Sequence, residues 1–318
     1  MPHNLPCPPG AAVKLFVLNN CFLRGVPTAP YVEPIIPGHE IFNDLPCLVF
    51  LIESSTGRKV LFDLGLRKDW QKLSPVSLSE IRNDQIDIKL EEDIVDILKR
   101  EGIVPGDIEA VVLSGKSVDE VDFEESNCVP LGPFKAFDYF GDGSFYIVDA
   151  PGHSIGHIGA IARTTSNPDT FVFIFMGADS CHHCGEFRPS ERRRTPSDFG
   201  LGLPISVPSA PCAGLRSGVR KVTQGGSCGR PFYSITRDFL YAEYTHDHEA
   251  ADATIAKVQE MDGYDNVFVT MAHDDSIPKI VDMFPKTINE WRFKKWHKTC
   301  RWTFLNDLQG LADAKLGG

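Results

Sequence analysis

The sequence has little positive charge and no long apolar run. Its 318 residues include 32 Lys or Arg against 43 Asp or Glu, a formal net charge of -11. Nucleic acid and anionic membranes attract clustered positive charge, so this balance argues against either as a general partner. No stretch reaches the roughly 18 apolar residues of a membrane span, and the first residues lack the charged and apolar regions of a secretion signal. We therefore expect a cytoplasmic protein that binds a small-molecule substrate or ligand, with no nucleic acid and no membrane as partner; the oligomeric state stays open.

Disulfide pairing is not expected either. Nine cysteines are an odd number, and a chain of this size does not need disulfides to hold its core. Cys181 and Cys184 stand at CxxC spacing, but no second pair at matching spacing would complete a structural zinc site. We expect reduced thiols.

Strands and helices alternate along the sequence. A helix is predicted over Glu91–Arg100, which has acidic residues in its first turn and basic residues at its end. A second helix is predicted over His248–Met261, with Asp247 as its cap. Many of the predicted strands are apolar throughout, as strands covered on both faces are. These strands are Val13–Leu18, Leu48–Glu53, Lys59–Phe62, Ala110–Leu113, Ser144–Val148, His157–Ala162, Phe171–Met176 and Val267–Met271.

Segments of unusual composition mark the domain organisation. We interpret residues 1–12 as a flexible N-terminal tail and residues 13–318 as one domain with a long loop at about 188–231, where Pro, Gly, Ser and Arg accumulate. The triplet Arg192–Arg194 is interpreted as a solvated charge run. Basic and aromatic residues alternate over 291–302, which predicts a helix that docks its rings on the core and leaves its lysines in solvent.

Polar side chains follow several predicted strands at the point where each strand ends. His153 stands in a tight Pro-Gly turn directly after a strand, and Asp179 and His273 follow two further apolar strands. Asp63 ends a fourth strand and precedes Leu-Gly, as an ordinary turn residue also does. Imidazole and carboxylate groups are ligands of zinc and of non-haem iron. The strand ends therefore offer a candidate metal site.

The segments around these residues resemble the metallo-β-lactamase superfamily. The matching text is Asp149–His157, Ala178–His183 and Ala272–Asp274. Longer segments look like a fungal-type branch related to acyl-homoserine lactonases, namely Arg58–Trp70, Phe134–Thr164, Phe171–Pro189 and Phe268–Leu305. The resemblance implies an α/β fold, a metallo-β-lactamase-like four-layer αββα sandwich. It also implies one or two divalent ions, zinc above all and iron as an alternative.

The same resemblance assigns roles to single residues. His153 corresponds to the third motif of the superfamily and His273 to its last histidine, and these two normally bind different ions. Asp179 corresponds to the aspartate that bridges two metals, which lets a shared hydroxide attack at neutral pH. Asp63 corresponds to a structural aspartate that orients the metal-binding loop.

The strongest signature of the superfamily, an HxHxDH run after a strand, is absent. The chain reaches that point at Ser114 and continues Gly-Lys-Ser-Val-Asp-Glu. In one interpretation Asp119 keeps the family aspartate and Glu120 replaces a histidine. In the other, the motif and the loop after it are deleted; the 38 positions between Ser114 and His153 are few for the family and favour deletion.

Two further histidine pairs are candidates to replace the missing ligands. His182 and His183 follow Asp179 and are interpreted as residues that pack around the metal ligands or as replacement ligands. The run His246–His248 opens a predicted helix, where Asp247 is a plain cap, so a metal role is not expected for it. A three-ligand site of His153, Asp179 and His273 stays open as an alternative.

The resemblance thus implies a hydrolase of lactones, lactams or thioesters, with metal-bound hydroxide attacking the carbonyl and with activity impaired by the missing motif. Two alternatives are a catalytically silent relative that binds a ligand or a partner, and an isoform that lacks an in-frame exon after Ser114. Substrate identity does not follow from the sequence.

Overall fold

The architecture is two facing β-sheets with helices outside them. The computed structural model describes residues 3–113, 121–124, 127–166, 171–194, 229–241 and 244–308. The first sheet has the strand order β5-β1-β3-β4-β6 and the second the order β13-β11-β10-β9-β8-β7, while β2 and β12 pair separately. The strands are β1 (Lys14–Arg24), β2 (Val32–Glu33), β3 (Leu45–Glu53), β4 (Lys59–Phe62), β5 (Asp87–Leu90), β6 (Ile108–Val112), β7 (Cys128–Leu131), β8 (Phe134–Asp138), β9 (Phe145–Asp149), β10 (Ile158–Arg163), β11 (Phe173–Met176), β12 (Ser234–Ile235) and β13 (Val267–Thr270). The helices are α1 (Pro75–Asn83), α2 (Ile94–Arg100), α3 (His248–Gly263), α4 (Ile277–Ile280) and α5 (Trp296–Cys300).

Three layers of apolar side chains hold the sheets and helices together. Between the sheets, Phe50 and Phe62 of the first sheet share a buried cluster with Ile147 and Ile174 of the second. Because strand side chains alternate between faces, the neighbouring residues point outward. On the outer face of the first sheet, Leu51 and Leu61 pack with Ile94 and Leu98 of α2.

The second sheet buries its outer face in the same way. Val148, Phe173 and Val269 cluster there with Ile255 and Val258 of α3. The order helix, sheet, sheet, helix confirms the predicted four-layer αββα sandwich. Among the described residues, none of the helices combines the length and the apolar character needed to cross a bilayer.

The segment predicted as a flexible N-terminal tail is packed against the body of the structure. The Leu5 side chain is 2% exposed, and its backbone N–H donates to Asn266 Oδ1 at 2.7 Å. The Arg163 guanidinium donates to the Cys7 thiol and to the Pro8 carbonyl. The structure therefore corrects this interpretation for residues 3–12: one buried leucine and a buried arginine bind the segment, although its composition is that of a tail.

The long loop predicted at about 188–231 is only partly described. Residues 195–228 lie outside the described residues, and the loop begins with Arg188, which is fully buried. Arg193 is not simply solvated, since its guanidinium contacts Asp265 at 2.6 Å. Arg188 and Arg193 form hydrogen bonds with Asp262 and Asp265, which are distant in the sequence, and so fix this part of the loop against the fold.

Candidate active site

The candidate site lies at one edge of the second sheet. Strands β11 and β13 are parallel neighbours, and β9 runs in the same direction because β10 is antiparallel to both β9 and β11. The carboxyl ends of these three strands therefore meet at one edge. His153, Asp179 and His273 follow those ends, and the structure brings them to the same cavity.

A tightly packed glycine positions His153. Gly152 has φ 128°, and an added Cβ would lie 2.2 Å from the backbone nitrogen of Ala251 in α3. The carbonyls of Gly152 and His153 accept hydrogen bonds from the backbone N–H groups of Asp247, at 2.9 Å, and His246, at 3.1 Å. The turn is therefore fixed directly against the start of α3.

We predict that Gly152→Ala displaces this turn and lowers the free energy of unfolding by about 1–3 kcal/mol, because the backbone is in a region that side chains disfavour and the new methyl meets backbone atoms. Urea unfolding measures the change. Gly57→Ala is a matched control, since Gly57 also has a positive φ of 84° but nothing lies within 4 Å of its added Cβ. Equal losses in both variants would contradict the role of close packing.

Asp179 and His273 form the first pair of donor atoms. His273 Nε2 lies 3.2 Å from Asp179 Oδ1, and His273 Nδ1 donates to the carbonyl of Pro46 at 2.7 Å. Removal from water disfavours the imidazolium, but the hydrogen bond and negative charge of Asp179 outweigh this and raise the pKa of His273. Burial likewise raises the pKa of Asp179, but His273, His153 and His157 hold it below its usual value. In neutral His273 the proton is on Nδ1, so Nε2 carries the lone pair and faces the Asp179 carboxylate.

His153 and His182 form the second pair. His182 Nε2 lies 3.2 Å from His153 Nδ1, and the two ring centroids are 5.0 Å apart. Burial, and then the neighbouring His153, lower the pKa of His182 to about 3. His182 Nδ1 is buried without a hydrogen-bond partner among the described residues. A neutral imidazole with free bonding capacity therefore stands beside His153.

His157 supports the site without offering a ligand atom. Its Nδ1 donates to the Ala150 carbonyl at 2.7 Å, and its Nε2 accepts the backbone N–H of Asp179 at 3.2 Å. Both ring nitrogens are used, and burial lowers the pKa of the ring. A neutral His157 therefore fixes the backbone at Asp179.

The donor atoms fit divalent metal in type and in pairwise spacing. Two ligand atoms at 2.0–2.1 Å from a tetrahedral zinc ion lie roughly 3.4 Å apart, and each pair is separated by 3.2 Å. His273 Nδ1 donates to a carbonyl, the usual arrangement of a histidine that binds metal through Nε2. The predicted trio of His153, Asp179 and His273, however, is not among the groups whose ligand atoms all lie within 4.8 Å of one another in the described part of the chain.

The group that meets that criterion is His39, His183 and Asp307. His183 Nδ1 accepts the backbone N–H of Gly185 at 3.0 Å, so a neutral His183 carries its proton on Nε2, which lies 3.1 Å from Asp307 Oδ2. His39 Nδ1 lies 2.6 Å from the hydroxyl of Tyr233. This bonding pattern favours a buried hydrogen-bond network. The structure thus separates His183 from His182: only His182 lies with the strand-end donors.

Asp63 lies near enough to the strand-end donors for its charge to act on them. It follows β4 with φ 63°, and its N–H donates to the Val112 carbonyl at 2.8 Å. Its charge contributes to the raised pKa values of His273 and of Cys47, after larger effects in each case. The thiol Cys47 beside this site was not predicted from the sequence. Asp119 and Glu120 lie outside the described residues.

A cavity of about 380 Å³ opens onto both donor pairs. One end is polar, and the remaining wall is aliphatic and aromatic. This wall was not predictable from the sequence, because its residues come from distant segments without a common pattern. The lining residues are Leu23, Val26, Tyr31, Phe42, Leu45, Ile86, His153, Ser154, Asp179, His182, Tyr244 and His273.

Comparison with known proteins places the chain in a family context. The chain is 34% identical to the metallo-hydrolase mfmC of Annulohypoxylon moriforme, over 82% of this chain and 78% of that protein. It is 28% identical to the gamma-lactamase FDB1 of Fusarium pseudograminearum, over 95% of this chain and 84% of that protein. It is 33% identical to the monooxygenase mpaDE of Penicillium roqueforti over 96% of this chain, but the chain spans only 38% of that relative's length. No family model matches.

Solved structures share the fold. An AiiA mutant of B. thuringiensis with N-decanoyl-L-homoserine at its active site gives a TM-score of 0.52 at 17% identity, over 87% of this chain and 100% of that chain. A quorum-quenching N-acyl homoserine lactone hydrolase gives 0.51 at 16% identity, over 91% of this chain and 100% of that chain.

Each alignment to these relatives has more positions than the number of residues that this chain contributes to it. The alignment with mpaDE has 359 positions, whereas 96% of 318 residues is about 305. The alignment with mfmC has 316 positions, whereas 82% of the chain is about 261 residues. About 50 aligned positions in each relative therefore have no counterpart in this chain.

Proposed function

Because the chain belongs to the metallo-β-lactamase superfamily, we propose that it is a metal-dependent hydrolase acting on a lactone, a lactam or a thioester. The cavity carries this proposal: two pairs of metal-binding donor atoms lie at one end of about 380 Å³ of otherwise mostly apolar space. A small molecule with an apolar body and one reactive carbonyl fits such a cavity. The names of the gamma-lactamase and metallo-hydrolase relatives support this class of reaction.

We assign metal binding to the two donor pairs. Asp179 with His273 and His153 with His182 would hold divalent metal, zinc or iron by ligand type. When bound, such an ion lowers the pKa of water toward neutrality and polarises a carbonyl. His157 keeps Asp179 in place through its backbone, and the Pro46 carbonyl fixes the ring of His273.

The remaining cavity wall would orient the substrate. Tyr31 lies 4.9 Å from His182 and 5.2 Å from Tyr244 between ring centroids, so aromatic rings border the donor pairs. Leu23 and Ile86 add aliphatic surface. These side chains exclude water from an apolar substrate body and leave its carbonyl to face the polar end.

We further propose that activity is impaired by a deletion at the HxHxDH position. The 38 positions between Ser114 and His153, which are few for the family, support a deletion over substitution in place, and the roughly 50 aligned positions without a counterpart are as many as the motif with its following loop would contain. Reading the genomic DNA after the codon of Ser114 tests whether this is a skipped in-frame exon. A skipped segment that encodes HxHxDH would support it, and an uninterrupted run of codons would exclude it.

A second candidate function is a silent relative that binds a ligand in the same cavity. This candidate is favoured because each donor pair offers only two protein ligands among the described residues, whereas catalytic zinc sites normally have three. A panel of γ-lactones, γ-lactams and thioesters separates the two functions. Turnover that is lost with a chelator and in His153→Ala supports the hydrolase; binding without turnover supports the silent relative.

We predict that the adjacent histidines His182 and His183 differ in metal binding. His182→Ala is expected to weaken zinc binding by at least about 10-fold, because it removes one atom of a donor pair. His183→Ala is the matched control and is expected to keep zinc affinity, since His183 bonds to Asp307 instead. Titration with a fluorescent zinc chelator measures both, and equal losses would contradict the assignment of His182.

A further inference from the structure

A second cavity lies away from the candidate active site. It has a volume of about 410 Å³ and shares none of the residues that line the active-site cavity. Asp265 precedes β13 in the chain and lines the second cavity, whereas His273 follows β13 and lines the first. The two cavities thus lie toward opposite ends of that strand. The second cavity, which we call the basic cleft, is lined by Arg193, Asp265, Arg292, Lys295, His297, Lys298 and Arg301.

The basic cleft concentrates positive charge in an acidic protein. Five of its seven lining residues are Lys or Arg, although the chain carries a net charge of -11. Asp265 is the one carboxylate in the lining, and Arg193 contacts it at 2.6 Å. Within the described ranges, the side chains of Arg292, Lys295 and Lys298 form no ion pair. Three cations at the rim are therefore uncompensated there.

Two buried groups line the cleft's interior: Arg301 is a cation, whereas His297 is a neutral imidazole, because burial lowers its pKa to about 4. Arg301 is 8% exposed, and it shares its nearest carboxylate with Arg188: Asp262 lies 3.5 Å from Arg301 Nε and accepts two hydrogen bonds from Arg188. His297 is 7% exposed, and its Nδ1 has no hydrogen-bond partner among the residues described. Buried cations and unpaired polar atoms are costly unless a partner compensates them.

A strained backbone position also borders the cleft. Lys295 has φ 59°, in the left-handed region that residues with side chains rarely occupy. It lies at the start of α5, between Arg292 and Lys298 in sequence. Such conformations are retained where the surrounding structure requires them, often at ligand sites.

We propose that the basic cleft binds a small ligand that carries a phosphate or diphosphate group. Lys and Arg at the rim meet the phosphate oxygens, and Arg301 contributes a planar set of donors from the interior. The volume is that of a small-molecule site. This binding uses neither donor pair of the active site, so it does not depend on the proposed hydrolase activity.

Titration of the purified protein with pyrophosphate by calorimetry tests the proposal. We expect one saturable site that weakens with salt. Arg292→Gln with Lys298→Gln is expected to lower the affinity at least about 10-fold, a change of about 1.4 kcal/mol. Lys68→Gln with Lys72→Gln, which removes two exposed charges elsewhere, is the control and should change the affinity less than about 2-fold.

A variant that binds pyrophosphate more tightly distinguishes ligand binding by the basic cleft from a purely structural role of its charges. Asp265→Asn removes the one carboxylate of the cleft and releases Arg193 from its ion pair, so pyrophosphate is expected to bind about 3-fold more tightly. Inorganic phosphate and citrate distinguish a phosphate site from a general anion site. Absence of saturable binding, citrate binding as tight as pyrophosphate, equal losses in the control, or tighter binding of single-stranded DNA would each overturn the proposal.

Discussion

Replacing Asp262 with asparagine is expected to lower the free energy of unfolding by about 3–5 kcal/mol. The Asp262 side chain is 1% exposed and accepts hydrogen bonds from Arg188 Nη2 at 2.7 Å and Arg188 Nε at 3.2 Å. Arg188 is also buried, and Arg301 Nε lies 3.5 Å from the same carboxylate. Asparagine keeps the shape but removes the charge, so the buried guanidinium groups lose their compensation.

Urea unfolding followed by circular dichroism measures this change. The matched control is Asp44→Asn, because Asp44 pairs with Arg24 where both side chains are about half exposed, at 48% and 46%. The exposed pair is expected to contribute at most about 1 kcal/mol. A loss in Asp262→Asn no larger than in the control would show that the buried pair does not hold the fold.

The Arg188–Asp262 pair also predicts how the free energy of unfolding depends on pH. Burial raises the pKa of Asp262, but the charges of Arg188 and Arg301 prevail and lower it to about 2. The unfolded value is about 3.9, so the contribution of Asp262 is fully present above that pH and is lost as pH falls through about 2. In Asp262→Asn this contribution is absent at every pH. Unfolding midpoints of the two proteins are therefore expected to converge between about pH 4 and pH 2.

The sequence predicted best those features that depend on neighbouring residues. α3 begins at His248 as expected, because Asp247 accepts the backbone N–H groups of Glu249 and Ala250 and thereby caps it. The turn at His153 is equally local, since Gly152 adopts a conformation that suits glycine. The four-layer order came from the family resemblance, and the three buried clusters confirm it.

Features that depend on distant contacts were not predictable. The Arg188–Asp262 pair joins residues 74 positions apart, inside a segment whose composition is that of a surface loop. The separation of His182 from His183 arises in the short turn after Asp179, where Glu186 accepts both backbone N–H groups and His183 turns toward Asp307. No spacing rule distinguishes two consecutive histidines before that turn is known.

Replacing Asp179 with alanine is expected to remove bound metal and any hydrolase activity together. Asp179 is the carboxylate that faces His273 Nε2, at 3.2 Å, and its backbone N–H is held by His157. Because the missing HxHxDH run leaves few donors, the loss of one is expected to reduce metal affinity more than the 10- to 100-fold typical of an outer-shell partner. Lactone turnover, where the native protein shows it, is expected to fall at least about 100-fold.

Metal content after dialysis against trace zinc and initial rates on a lactone measure these two effects. His246→Ala is the control, because His246 is exposed and belongs to the histidine run that opens α3. If metal is lost in Asp179→Ala and kept in His246→Ala, the strand-end donors bind the metal. Equal metal content in the native protein and both variants would show that the metal binds elsewhere. Equal rates in all three proteins would show that Asp179 takes no part in hydrolysis. Native protein with less than about 0.1 equivalent of zinc, iron or manganese after supplemented expression would exclude the metal-dependent function itself.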